Sequence, residues 1–314
     1  MSNIYISSCC EDGGIYRYTL ENGKLIFKDK TSLDRPMYTT VNNGKMYVIL
    51  RAPFEDNNSG IISLEVSADG KLTHPTKPIT TQGVVACHLC VTNGEVYSAN
   101  YLSGSVSKLG KKTVVHSGTG PNLPRQDMAH CHFTGPSPDN KYVLVCDLGL
   151  DTIFTYDMDL NEVSRGKVPD GHGVRHLAFS EDKKTLYAVN ELASTVSVFD
   201  YNDGVLTLID TVAGLPEDFG EKSTAAAIRV YGNRLYVSHR GHDSVAVFDI
   251  SEKVPKIIKW VDVCGKSPRD FDIIDGYLIC TNEGGNITVF KMEGDTFTLT
   301  DNIPCKDVLC VDKI

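Results

Sequence analysis

The side chains able to do chemistry in this chain are scattered, yet they recur at similar places in a repeating pattern. One series runs His88, His130 and His132, Arg175 and His176, Arg229, and Arg269-Asp270. A second is interleaved with it: Asn100-Tyr101, Asp147, Asn190-Glu191, His239-Arg240 and Asn282-Glu283. Imidazole and carboxylate groups move protons, and planar guanidinium forks hold anionic oxygens. Gathered in one place, these groups would suit proton transfer beside a bound anion. Taken one at a time, each reads equally well as a satisfied polar residue at the end of a strand.

What must position them is legible in Gly171 to Tyr201. Leu177-Ala178-Phe179, Leu186-Tyr187-Ala188-Val189 and Val196-Ser197-Val198-Phe199 are short apolar runs separated by polar turns. Such runs, rich in Val, Tyr and Phe, read as antiparallel strands. The template recurs along the chain. Its second run appears at Ile4-Tyr5-Ile6, Met46-Tyr47-Val48, Val96-Tyr97-Ser98, Val143-Leu144-Val145, Leu186-Tyr187-Ala188, Leu235-Tyr236-Val237 and Leu278-Ile279-Cys280. Seven copies with a period of about 40 to 50 residues predict an all-β, seven-bladed propeller of four-stranded blades, forming one domain over residues 1–314. The first copy lacks an inner run, and Cys305 to Val311 is an inner run with nothing after it. Pairing the two would close the ring and remove two exposed sheet edges. In a closed ring both polar series would face one mouth of the channel.

Composition narrows the classes. A hydrophobic content of 41% and a charged content of 23% are those of a soluble globular protein. The net charge of −9 argues against nucleic acid or an anionic membrane as partner, and leaves room for a local basic pocket. No apolar run approaches the roughly 20 residues of a membrane helix, and the N-terminal residues do not resemble a signal peptide, so a cytoplasmic location is expected. The ten cysteines then read as free, mostly buried thiols. Cys87-His88-Leu89-Cys90 has CxxC spacing, but alternation along a strand points its thiols apart, whereas zinc sites on CxxC use a tight turn. His130 and His132 share a strand face and could form at most a weak site; no metal or other cofactor is expected. Gly118-Thr119-Gly120-Pro121 reads as a loop rather than a phosphate cradle, and no GxSxG elbow is present.

Five segments carry a family resemblance: HCHFTGPSPDNKYVLVCDLGLDTIFTYD (130–157), GVRHLAFSEDKKTLYAVNELASTVSVFD (173–200), LPEDFGEKSTAAAIRV (215–230), SHRGHDSVAVFDI (238–250) and SPRDFDI (267–273). Together they resemble the lactonase family of seven-bladed propellers, which includes bacterial 6-phosphogluconolactonases and is related to fungal carboxy-cis,cis-muconate lactonising enzymes. The resemblance implies that His132 matches the family's catalytic histidine, with Phe133 in place of a small residue. By the same implication Arg175, Glu191 and Arg240 are catalytic, the last in His-Arg rather than Asn-Arg. His88, Tyr101, Arg229 and Arg269 match further pocket positions, and His130 and His176 join them as substrate-binding candidates at the strand starts.

The implied chemistry is opening of a sugar δ-lactone, with an activated water, a donor for the developing oxyanion and no redox cofactor. Glu191 or His132 would be the base, and Arg175 and Arg240 would hold the oxyanion or a substrate phosphate. Crowded arginines should lower the pKa of Glu191, which leaves His132 better suited to proton donation. The expected partner is a small anionic lactone, 6-phospho-D-glucono-1,5-lactone first. Another lactonase or a carboxymuconate-type cycloisomerase could use the same pocket, and a propeller that binds a protein or metabolite without catalysis is the reading from a different class.

Overall fold

Alternating short strands need partners on both sides, and the chain supplies them by folding back on itself. In the computed structural model, residues 2–314 are described; they form seven antiparallel sheets and, among the described residues, no helix. Six sheets have four strands, and the fifth blade shows the plan: Val174–Phe179 innermost, then Thr185–Asn190, Thr195–Asn202 and Val205–Ala213. The second blade differs, because its outer edge is built from two pieces, Leu72–Thr73 and Ile79–Val84, both paired with Asn58–Val66. Five hairpins turn on Asn-Gly or Asp-Gly pairs in which both residues have positive φ, for example Asn93 at 50° and Gly94 at 76°. That is the conformation whose twist matches flanking antiparallel strands.

The second strand of each blade is packed on both faces, as in Thr185–Asn190, where every residue is buried. Apolar residues of adjacent blades fill the wedge between them: Tyr187 and Val189 of the fifth blade pack with Leu235 and Val237 of the sixth. Outer strands such as Val205–Ala213 are largely exposed.

The first blade is completed by the other end of the chain. Val308–Lys313 pairs with Asn3–Ser8, setting Ile6 opposite Val311 and Ile4 opposite Lys313. Ile4, Ile6, Val308 and Val311 then share a core with Ile279, Ile287 and Val289 of the seventh blade. Removing residues 305–314 should expose this core and a six-residue strand edge. Each lost aliphatic contributes about 1.5–3 kcal/mol, against a total margin of about 5–15 kcal/mol. The expected outcome is loss of the single cooperative thermal transition and of soluble yield; a truncated protein melting like the full chain would contradict the closure.

Candidate active site

Each inner strand carries one extra residue near its start, where it faces the channel. The ladder shifts between Val174 and His176, so Arg175 is extra; the same irregularity sets out His132, Cys87, Met37, Arg269 and Leu309 in other blades. In the sixth blade it falls between Ala225 and Ile228. A β-bulge bends its strand and re-aims one side chain. Here it creates an inner ring of seven positions, one per blade. A second ring comes from the position that ends or follows each second strand: Cys9, Arg51, Tyr101, Leu148, Glu191, Arg240 and Glu283.

Two adjoining cavities open at this mouth. One, of about 270 Å³, is lined by Cys87, Tyr101, Arg125, His132, Glu191, Thr224, Arg240 and Arg269 together with Met37 and Val85. The other, of about 340 Å³, shares Met37, Val85 and Arg269 and adds Cys9, Arg51, Glu283, Asp307 and Leu309. Val85, at their seam, is a β-branched residue held at φ 53°, a strained backbone conformation for its type.

At the centre of the first cavity Glu191 is 4% exposed and meets three guanidiniums. Arg175 Nε donates to Oε2 at 2.9 Å, Arg240 Nη2 lies 3.1 Å from the same oxygen, and Arg125 Nη2 donates to Oε1 at 2.6 Å. Arg175 also donates to the Ala226 carbonyl at 2.8 Å, and Arg125 to the Tyr101 hydroxyl at 3.3 Å. Burial alone would push the Glu191 carboxyl up, but Arg240, Arg175 and Arg125 together hold it well below the usual carboxylate range. Burial, with Arg269 and Arg240 close by, draws the Arg175 guanidinium down to about 9, so it stays charged at neutral pH. Removing one partner from such a buried pair costs about 3–5 kcal/mol, so the cluster stands or falls as a unit.

Residues 3–312 match the family described as lactonase, 7-bladed β-propeller. The chain belongs to the lactonase family. An uncharacterised Staphylococcus aureus protein is 33% identical to it over 334 aligned positions, covering 96% of each. A crystal structure from Lactobacillus plantarum superposes with a TM-score of 0.90 at 28% identity, covering 100% of both chains. One from Bacteroides fragilis, described as a candidate 6-phosphogluconolactonase, superposes with a TM-score of 0.88 at 25% identity, covering 100% of this chain and 98% of that one.

The propeller gathers His132, Glu191, Arg240, Tyr101 and Arg269 around one opening, and Arg175 lines a smaller pocket beside it that shares Met37, Cys87 and Arg269. His176 lines that smaller pocket with Arg175, 5.4 Å from the His132 ring, while three other candidates lie away from both walls. His88 and His176 follow the bulged residues, so they lie one step deeper, packed ring to ring with Tyr38 and Phe133 at centroid distances of 4.3–5.5 Å. His130 stacks behind Tyr101 at 4.4 Å, its nitrogens engaged by the Tyr101 carbonyl and the Asp127 carboxylate. Arg229 pairs with Asp270 at 2.8 Å and lines neither cavity of the mouth.

The second series also divides. Asn100, Asn190 and Asn282 are buried and bond Ser or Thr of their own hairpins. Asp147 accepts from the backbone N–H of His130, Gly149 and Leu150 and pairs with His116 at 2.7 Å. Cys131 lies 3.3 Å from the same His116 nitrogen, and Tyr156 takes the other at 2.7 Å. His116, Cys131 and Asp147 thus form a hydrogen-bonded knot that ties the third blade to the fourth. Arg125, Met37 and Val85 line the opening without having been singled out in the sequence, and Cys87, weighed there only as a zinc ligand, lines it as well.

Burial, reinforced by Arg175, pushes the His132 imidazole well below its ordinary value, so the ring is neutral at physiological pH. Its Nδ1 is buried without a partner. His176 is also pushed down, and burial lowers His88 and His239 to about 3. Four imidazoles that stay neutral in the fold but take protons in the unfolded chain make stability fall as pH drops below about 6.5. Each adds about 1.4 kcal/mol per pH unit below that point until its folded-state pKa is reached. The urea midpoint should therefore decrease steeply between pH 7 and pH 5; a flat midpoint would mean that these rings are protonated in the native state.

Proposed function

We propose that this lactonase hydrolyses a phosphorylated sugar δ-lactone, with 6-phospho-D-glucono-1,5-lactone as the leading substrate. The observation that carries this reading is the pairing, in one cavity, of a neutral buried imidazole with guanidiniums that outnumber their carboxylates. Glu191 has both oxygens engaged by arginines and is held ionised, which makes it a weak base. Its task is to fix the guanidiniums in place. His132 is the better base, because its neutral ring can take a proton when the transition state creates a compensating negative charge.

Water attacks the lactone carbonyl carbon and gives its proton to His132. The carbonyl oxygen becomes an oxyanion, which Arg240 or Arg175 receives through preorganised N–H groups. The tetrahedral carbon then releases the ring oxygen, and the proton held by His132 passes to it. The product is the open hydroxy acid, with His132 neutral again.

Glu191→Gln and Arg175→Ala should each lower kcat/KM by about 100-fold or more, since both disorder the oxyanion donors. Initial rates must be followed at a pH where spontaneous opening is slow, by NMR of lactone and acid. Wild-type rates in both variants would overturn the site. Turnover of a carboxymuconate instead of any lactone would move the same residues to a cycloisomerase, and turnover of neither would favour a binding role.

A further inference from the structure

Arg125 belongs to neither ring. It comes from the segment between the strands Lys112–Val115 and Cys131–Pro136, and it lines the first cavity. That segment is anchored by the residue next to it. Gln126 is fully buried, donates to the Leu148 carbonyl and to Asp151 Oδ1 at 2.8 Å each, and accepts from Asn122 N–H at 2.9 Å. Asp151 in turn accepts from Gly171 and Gly173 N–H, immediately before the strand that carries Arg175. The base of the segment is therefore fixed relative to the catalytic strand, while the Arg125 side chain remains 42% exposed, against 2% for Arg175. Among the guanidiniums of this cavity it is the first that an arriving ligand meets.

The charge balance leaves that guanidinium available. Arg125, Arg175, Arg240 and Arg269 face only Glu191 and Glu283, an excess of two positive charges. Arg240 Nε is buried without a hydrogen-bond partner. A phosphate monoester carries close to two negative charges at neutral pH and offers three acceptor oxygens. It matches the excess charge and offers the Arg125 guanidinium acceptors other than Glu191.

We propose that Arg125 is a specificity residue for the phosphate of the substrate, exchanging its hydrogen bond to Glu191 for bonds to the phosphate oxygens as the ligand seats. This rests on the lactone reading above and names the group that selects among lactones. The exchange breaks no covalent bond and leaves Glu191 paired with Arg175 and Arg240.

The test compares Arg125→Gln with wild type on 6-phosphogluconolactone and on unphosphorylated glucono-δ-lactone. A charge-assisted bond lost only from the phosphorylated substrate lowers its kcat/KM by about 10- to 100-fold more than that of the unphosphorylated one. Equal losses on both would overturn the proposal, because Arg125 would then act only through Glu191; no loss on either would overturn it as well. Calorimetric titration with 6-phosphogluconate and with gluconate supplies a readout that needs no turnover. Wild type should prefer the phosphorylated acid by at least about tenfold, and Arg125→Gln should lose that preference while Arg125→Lys keeps part of it. If wild type opens neither lactone, the lactone reading falls while the binding comparison still decides the role of Arg125. A wild-type protein without preference for 6-phosphogluconate would reject it.

Discussion

The whole mouth depends on a constraint of backbone geometry: an inner strand with one residue too many must bulge, and what bulges at the channel faces the opening. All seven inner strands obey it, counting the closing strand Val308–Lys313. The bulge lets His132, Arg175 and Arg269 reach the cavity although their neighbours are committed to the deeper layer. Because the offset repeats in every blade, side chains far apart in sequence converge without any long loop to carry them. The hydrogen bonds of Asn100, Asn190 and Asn282 within their hairpins hold the outer ring in the same way.

On this scaffold, burial and charge act against each other. Burial disfavours every ionised group it covers, yet Glu191 and the arginines around it are charged together. They are tolerable in company because each removes the penalty of the others, and the surplus sits on the arginine side. His132 responds oppositely: burial and the same arginines keep it neutral. One cavity thus holds a strong acceptor made inert and a weak base left free.

Fold and ring closure were legible in the sequence because both follow from strand patterning, which survives without any knowledge of contacts. Arg175 and Glu191 were legible as a pair because they begin and end one hairpin. The bulges were not visible, since an extra residue in a ladder leaves no mark on composition. That is why His88, expected at the opening, lies one layer down, and why His176 reaches only the smaller pocket that it shares with Arg175. Arg229 reads like the other arginines, and only the structure shows Asp270 claiming it. Arg125 escaped notice for the opposite reason: it lies in a segment outside the repeat, so no periodic argument could reach it. The His116–Cys131–Asp147 knot shows the converse, a group with the look of chemistry whose bonds are already spent on joining two blades.

The surplus of arginine charge at one opening of a chain with a net charge of −9 also shapes the space around the molecule. An acidic chain as a whole disfavours an approaching dianion, and a local surplus of arginines favours one at the mouth. Capture of the proposed substrate would then be partly a long-range event governed by ionic strength, while chemistry inside, shielded from mobile ions, would not. Under the lactone reading, the propeller would separate finding its ligand from acting on it.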